Sequence, residues 1–351
     1  MMSAVRVPFV AVVAIVALAA CASERPSDAP VTSPSVPATT TAAPRSPGDD
    51  PPITDQPATS EPVGWQRRTD APLALTEVAA AAHDGLIWVA GGLDGSGAAV
   101  TAVLRYDPVG DTWDRAADLP EAVHHSSLVS TGTALLLVGG YAGNGFDRPT
   151  AAVWRLDPTA GSWVAAAALP EPRAAGGAGW DGEDLVVYAG GVGPGGVSDG
   201  VFTLESGAWR SAAPLSVARE HLAVAGPDEA GWVSVIGGRR GGLDTNLGRV
   251  DLIDGDKTLT LGDLLIPRGG VAAFHAPDLG ACLVGGEGPG GTFADVECVD
   301  DGGLVTLPSM AHPRHGLGAA VVDRTAYALL GGEQPGLFVS SIVEALDLDG
   351  P

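Results

Sequence analysis

Four arginines recur at nearly the same distance before a Gly-Gly doublet. Arg173, Arg268 and Arg314 each precede their doublet by 17 residues, and Arg219 precedes its own by 18. Arginine binds carboxylates through two parallel hydrogen bonds, so four guanidinium groups at equivalent positions predict a basic arc that binds an anionic ligand. The alternative is that each arginine binds loop carbonyls or acidic turns and is structural.

Imidazole and carboxylate groups fall near the same positions. Glu287 and Glu333 directly follow their doublets. Each glutamate, together with a neighbouring histidine, would form a pair of groups for general acid and base catalysis. Solvated loop carboxylates are the simpler interpretation, and no catalytic residue is assigned. The candidate ligand-binding residues are Arg173, Arg219, Arg268, Arg314, His125, His221, His315, Tyr141, Glu287 and Glu333.

The Gly-Gly doublets themselves indicate the strands that position these residues. Each doublet ends a short apolar run such as Leu86–Ala90, and successive doublets are 46 to 51 residues apart. The six doublets are Gly91-Gly92, Gly139-Gly140, Gly190-Gly191, Gly237-Gly238, Gly285-Gly286 and Gly331-Gly332. This period predicts an all-β propeller of six four-stranded blades. In such a fold, the loops after the doublets share a face with the segments that enter each innermost strand.

The first two repeats carry a more specific pattern. Tyr106-Asp107-Pro108 is followed by Trp113, and Leu156-Asp157-Pro158 is followed by Trp163. This pattern resembles the kelch repeat over about residues 63–348, with Leu259 and Leu304 at the tryptophan position of the fourth and fifth units. In place of the arginine, the first two units have Ala74 and Ala122.

The kelch resemblance implies several activities. Kelch relatives include copper oxidases and sialic acid mutarotases, so fold alone does not exclude an enzyme. Copper oxidation needs Tyr, Cys and His ligands together, whereas the two cysteines of the repeat region, Cys282 and Cys298, fall in one repeat and the chain has four tyrosines. We therefore expect no metal and no cofactor.

The two ends of the repeat region complement each other. The sixth unit stops at Leu346-Asp347-Leu348 without a tryptophan, while Trp65 lies upstream of the first doublet without a unit of its own. We therefore predict that the N-terminal strand completes the sixth blade and leaves no open sheet edge.

The N-terminus has the composition of an export signal and a tether. Residues 1–20 hold Arg6, an apolar stretch and small residues before Cys21, as in a bacterial lipoprotein signal in which the cysteine is acylated. A plain secretory signal is the alternative. Residues 21–62 contain ten prolines and no aromatic residue, so we expect a disordered tether before a propeller at residues 63–351. The predicted location is outside the cytoplasm, with the membrane reached only through the lipid.

The net charge argues against two classes of binding partner, and two cysteines predict a covalent cross-link. The formal net charge of −23 argues against binding to nucleic acid or to an anionic membrane surface. Cys282 and Cys298 fall on strands predicted to be antiparallel neighbours, and an extracytoplasmic location permits a disulfide between them. Two separately buried thiols are the alternative.

Together, these features favour a monomeric, lipid-anchored, non-enzymatic binding module. Its expected partner is an anionic glycan, a sugar acid, a peptide or an envelope protein. The alternative is a carbohydrate-active enzyme that resembles a sialic acid mutarotase and acts on an acidic sugar at the channel mouth. A purely scaffolding role is a third interpretation.

Overall fold

The strands form six four-stranded antiparallel sheets arranged as the blades of a propeller. The computed structural model describes residues 64–300 and 302–350, so the predicted signal peptide, Cys21 and the tether lie outside the described residues. From innermost to outermost strand, blades 1 to 3 are Ala79–His83, Leu86–Ala90, Val103–Asp107 and Thr112–Arg115; Ser127–Ser130, Leu135–Val138, Val153–Asp157 and Ser162–Ala165; and Gly177–Trp180, Val186–Ala189, Val201–Glu205 and Ala208–Ala212.

Blades 4 and 5 follow the same order, and blade 6 takes its outermost strand from the other end of the chain. Their strands are Ala223–Ala225, Val233–Ile236, Arg249–Asp254 and Lys257–Asp263; Ala272–Ala276, Gly280–Val284, Val296–Asp300 and Gly303–Leu307; and Gly318–Val322, Thr325–Leu329, Val343–Asp347 and Gln66–Arg67. The predicted six-bladed all-β propeller is therefore confirmed.

Smaller elements lie in the loops at one end of the propeller. Three two-stranded sheets pair Val123–His124 with Tyr141–Ala142, Val192–Gly193 with Gly196–Val197, and Glu287–Gly288 with Gly291–Thr292. A 3-10 helix spans Leu243–Thr245. Over residues 64–300 and 302–350, no helix is long and apolar enough to cross a membrane.

Apolar cores lie between the blades. Small residues in the innermost strands let these strands approach one another around a central channel, while Val, Leu and aromatic side chains fill the gaps between consecutive sheets. The core between blades 6 and 1 joins Leu329 and Val343 to Val89 and Tyr106, all of which are at most 1% exposed. The ring is thus closed by burial of apolar surface as well as by strand pairing.

Closure occurs as the sequence predicts, through a short strand. Gln66 and Arg67 pair antiparallel with Ala345 and Glu344 in the third strand of blade 6. Trp65 is 8% exposed, and its indole Nε1 donates to the carbonyl of Pro308 at 2.8 Å.

Indole groups connect neighbouring blades in a repeated way. Trp113, Trp163 and Trp209 each donate to a carbonyl in the segment that leaves the preceding blade, at 2.8 to 3.2 Å, as Trp65 does. In blade 4, the hydroxyl of Thr258 donates to Ala213 at 2.9 Å. Thr258, rather than Leu259, therefore takes the tryptophan position of this blade, and both outer strands that lack tryptophan are formed.

Cys282 and Cys298 face each other on the second and third strands of blade 5. They are paired in register, both are fully buried, and a disulfide joins them. Their Cα atoms are 3.9 Å apart.

Candidate functional site

Backbone hydrogen bonds place equivalent residues of the six blades at the channel mouth. In blades 1 to 5, the N–H of the second glycine of the doublet donates to the carbonyl at the arginine position of the next blade, for example from Gly140 to Arg173 at 2.9 Å, and in blade 6 the first glycine, Gly331, is the donor. The same bond runs from Gly92 to Val123 and from Gly331 to Leu75. Leu75 and Val123 therefore occupy the arginine position in blades 1 and 2. The sequence prediction of Ala74 and Ala122 was wrong by one residue because loop lengths vary between blades.

Two residues after this position, the chain bends into the left-handed conformation in every blade. These six residues, here called the mouth belt, are Glu77, His125, Ala175, His221, Gly270 and Gly316, with φ between 50° and 65°. Each belt N–H from His125 onward donates to the carbonyl of the preceding belt residue at 2.7 to 3.1 Å, and Gly316 accepts from Val78 at 3.3 Å. The belt thus fixes a closed ring of backbone, from which the side chains of Glu77, His125 and His221 extend.

Three of the predicted arginines lie inside their own blades. Arg219, Arg268 and Arg314 are fully buried. Arg219 binds Asp251 at 3.1 Å and Arg314 binds Glu344 at 2.8 Å, and both also donate to backbone carbonyls. Burial lowers the pKa of each of these two guanidinium groups to about 10, against the raising effect of the paired carboxylate. These groups connect strands within a blade and do not form a basic arc in solvent.

Arg173 differs from the other three because no carboxylate faces it from the third strand. It is 4% exposed and binds Glu171 at 2.6 Å and the hydroxyl of Ser198 at 3.0 Å. Its guanidinium group also lies 5.3 Å from the ring of Phe202. Arg173 therefore holds loop segments of blade 3.

The remaining polar candidates converge on the channel mouth. They form a group, here called the mouth cluster, which consists of Glu77, His124, His125, Glu220, His221, Arg239, Glu287 and His315. These residues come from blades 1, 2, 4, 5 and 6. The sequence predicted His125, His221, His315 and Glu287, and the structure brings these four together.

Histidines occupy the centre of the cluster. His125 Nε2 lies 3.0 Å from His221 Nε2 and 3.1 Å from a carboxylate oxygen of Glu77. His124 Nδ1 lies 2.6 Å from His125 Nδ1, and Glu220 binds His221 Nδ1. Burial lowers the pKa of His124 to about 4 and that of His125 to about 3, and it lowers the pKa of His221 well below its usual value. These three imidazoles are therefore neutral at pH 7.

Carboxylates and one arginine surround the histidines. Arg239 donates to Glu220 at 2.9 Å and to Glu287 at 2.7 Å. Burial raises the pKa of Glu77, and the nearby charge of His315 opposes this rise. Both ring nitrogens of His315 face carbonyl oxygens, at 2.9 Å for Gly336 and 3.1 Å for Gly332. These contacts fix the ring of His315 against the loops of blade 6.

The other two sequence candidates lie at different levels. Tyr141 is 4% exposed and packs against the rings of His124 and His125 at 5.3 and 5.7 Å, so it supports the cluster from behind. The side chain of Glu333 is exposed, and only its carbonyl is held, by the hydroxyl of Thr292 at 2.8 Å. Glu333 is therefore outside the cluster.

Sequence reasoning missed Glu77, Glu220 and Arg239. Glu77 stands at the same repeat position as His125 and His221, and the correct register of blade 1 would have revealed it. Arg239 directly follows a doublet, as Glu287 does, so its position was also readable. The pairing of Arg239 with Glu287 was not readable, because it joins residues from blades 4 and 5.

Comparisons with known proteins agree with this architecture. The kelch motif model matches residues 74–120 and 122–170. Beta-scruin of Limulus polyphemus is 33% identical over 76 residues, which are 22% of this chain and 8% of beta-scruin. The chain thus spans less than a tenth of that curated relative. The solved structure of YjhT has a TM-score of 0.64 at 14% identity, covering 79% of this chain and 96% of that one, which shows a shared fold alone. The chain is therefore a six-bladed β-propeller whose first two repeats match the kelch motif.

Proposed function

We propose that this propeller is a binding module that holds a polar ligand from outside the cytoplasm, such as a glycan, a sugar acid or a peptide, against its channel mouth. The observation that carries the proposal is the convergence of ionisable side chains from five blades on one ring of backbone. Groups with shifted pKa values and residues in rarely populated conformations concentrate at functional sites.

An exposed aromatic residue beside the cluster supports a ligand of this kind. The ring of Phe146 is 4.9 Å from that of His124 and 5.4 Å from that of His125, yet Phe146 remains 52% exposed. Leu337 and Phe338 are also about half exposed, on the blade 6 loop whose Gly336 binds His315. Apolar surface next to polar groups suits the face of a sugar ring or a peptide side chain.

The cationic group that the cluster offers to an acidic ligand is Arg239. It already contacts Glu220 and Glu287, so an acidic group on the ligand would share or displace these contacts. This replaces the arginine arc as the electrostatic basis for recognising an anion.

A carbohydrate-active enzyme is the second candidate, favoured by one observation. Glu77, whose pKa is raised by burial, lies beside neutral imidazoles, which is the combination that general acid and base chemistry uses. The kelch resemblance makes mutarotation of an acidic sugar the reaction to examine.

A binding screen with residues 60–351 tests the first candidate. Sugar acids, neutral glycans and short peptides are titrated, and proton NMR of the sugars measures exchange between their anomers in the same samples. We expect Phe146→Ala and Arg239→Ala each to weaken binding by about tenfold or more, which corresponds to roughly 1.4 kcal/mol. Arg240→Ala, an exposed residue on the same loop, is the matched control.

Two outcomes would redirect the interpretation. Accelerated anomer exchange that is lost in Glu77→Gln would favour the enzyme. Binding affinity that is unchanged by both Phe146→Ala and Arg239→Ala would contradict a site at the mouth. It would favour contacts on the outer loops with an envelope protein.

We infer that the binding module is anchored outside the cytoplasm through Cys21. The inference rests on Leu18-Ala19-Ala20-Cys21 and on the proline-rich segment that follows. Cys21→Ala should abolish incorporation of labelled fatty acid and release the protein from the membrane fraction. Unchanged labelling would show that the lipid is elsewhere or absent.

A further inference from the structure

We propose that Glu77, His125 and His221 bind a divalent transition-metal ion, with Zn²⁺ as the best match to the ligand set, at the channel mouth. A carboxylate oxygen and two imidazole nitrogens lie within 4.8 Å of one another. This site goes beyond the binding function proposed above, because it is defined by protein ligands alone.

Hydrogen bonding sets the tautomer of His125. His124 Nε2 faces the carbonyl of Gly145 at 3.2 Å and must donate to it, so His124 Nδ1 carries a lone pair. His125 Nδ1, 2.6 Å away, therefore carries the hydrogen and donates to His124. In a neutral imidazole this leaves His125 Nε2 as a lone pair directed at the centre of the cluster.

His221 reaches the same state through a different partner. Its Nδ1 is bound to the carboxylate of Glu220, to which it donates. Arg239 holds Glu220 in place at 2.9 Å through the other carboxylate oxygen. His221 Nε2 is thus also a lone pair, and a carboxylate behind a histidine is a common second partner in metal sites because it orients the ring and raises its basicity.

Two imidazole lone pairs and a carboxylate oxygen of Glu77 consequently face one another. His125 Nε2 is 3.0 Å from His221 Nε2 and 3.1 Å from Glu77 Oε2, and all three are at most 11% exposed in their side chains. Lone pairs at these distances repel unless a cation binds them together. A metal ion satisfies all three at once.

The donor set indicates the type of metal. Imidazole nitrogens favour zinc and other first-row transition ions over Mg²⁺ and Ca²⁺, which prefer oxygen. Two histidines and one glutamate leave further coordination positions open, as in zinc sites that bind substrate or water. The cluster opens onto a channel cavity of about 70 Å³ lined by the mouth belt, which has room for water or for an oxygen atom of a ligand.

The experiment is a metal titration of the full-length chain after treatment with a chelator. Zn²⁺ is titrated calorimetrically, and Co²⁺ is added separately because its visible absorption reports the ligands directly. We expect one equivalent of Zn²⁺. Glu77→Gln, His125→Ala and His221→Ala should each weaken binding roughly 100-fold or more, and Glu220→Gln about 10-fold to 100-fold. His312→Ala, outside the cluster, should have no effect.

Glu77→Gln keeps the side-chain volume, so it remains informative if a histidine variant fails to fold. For Glu77→Gln and Glu220→Gln, thermal unfolding without metal should be close to that of the unsubstituted protein. Absence of stoichiometric Zn²⁺ binding, or binding and Co²⁺ spectra unchanged by Glu77→Gln, would overturn the proposal. The titration needs no glycan or peptide, so its outcome is independent of the ligand screen.

Discussion

At the scale of single residues, the six positions of the mouth belt share one backbone conformation, but their side chains differ in what they contribute. All six positions adopt left-handed backbone, which glycine tolerates and other residues adopt at a cost of about 1–2 kcal/mol. Gly270 and Gly316 avoid that cost. Glu77, His125 and His221 incur it and extend ionisable groups into one cluster, whereas Ala175 incurs it with a methyl group alone.

Replacement of Ala175 by glycine should therefore stabilise the protein. We expect Ala175→Gly to raise the free energy of unfolding by about 0.5–1 kcal/mol, because relief of left-handed strain exceeds the loss of one buried methyl group and the greater freedom of the unfolded chain. Gly270→Ala is the opposite control, since a Cβ there would lie 3.2 Å from Glu287 Cγ and 3.4 Å from His315 Cβ. Urea denaturation measures both, and a destabilised Ala175→Gly would show that the belt is not strained.

At the scale of elements, blades 4 to 6 share a buried arginine–carboxylate tie. The arginine comes from the segment that enters the innermost strand, and the carboxylate comes from the third strand. The second carboxylate oxygen of Glu297 accepts from the backbone N–H of Leu265 at 2.9 Å, and that of Glu344 accepts from Ala311 at 2.9 Å. In blades 5 and 6 the carboxylate therefore joins the third strand to the entering segment at two points, and blade 5 adds the disulfide.

Removing one partner of such a tie should be costly. Arg268→Ala leaves Glu297 buried, 1% exposed, without its cation, so we expect a loss of about 3–5 kcal/mol in the free energy of unfolding. The paired replacement of Arg268→Met with Glu297→Leu should recover most of that loss. Arg105→Ala, which breaks the half-exposed pair with Asp114, should cost less than about 1 kcal/mol. Equal effects of Arg268→Ala and Arg105→Ala would contradict a structural role for the buried arginine.

At the scale of the whole molecule, the chain ends hold the ring together. The two-residue strand at Gln66–Arg67 covers the edge of blade 6, and Trp65 packs into the core between blades 5 and 6. Blade 1 then packs on blade 6 through a core of its own. Removing the N-terminal strand would expose backbone groups that pair readily with other chains.

Two truncations test this closure. A chain that begins at residue 63 should unfold like the longer protein, because it keeps every element of the propeller. A chain that begins at residue 73 lacks Trp65 and the outermost strand of blade 6, and we expect it to lose several kcal/mol of stability or to aggregate. Calorimetry and light scattering measure the two effects. Equal melting of both chains would mean that the ring is closed without this strand.

The sequence by itself determined the architecture of this protein. Glycine doublets, the kelch pattern around Trp113 and Trp163, the unpartnered Trp65 and the pair of cysteines are local signals, because turn conformation and strand alternation depend on neighbouring residues. They sufficed to predict six blades and the closing strand. The lipid signal at Cys21 and the identity of the ligand remain predictions.

Only the tertiary structure decided which of the candidate residues form the site. Regular spacing singled out Arg219, Arg268 and Arg314, but spacing does not show which way a side chain points, and the structure buries these three inside their blades. Glu77, His125 and His221 lie far apart in the chain and meet because ring closure brings blades 1, 2 and 4 to one channel mouth. Contacts of this kind depend on the packing of all six blades, so no local pattern in the sequence encodes them.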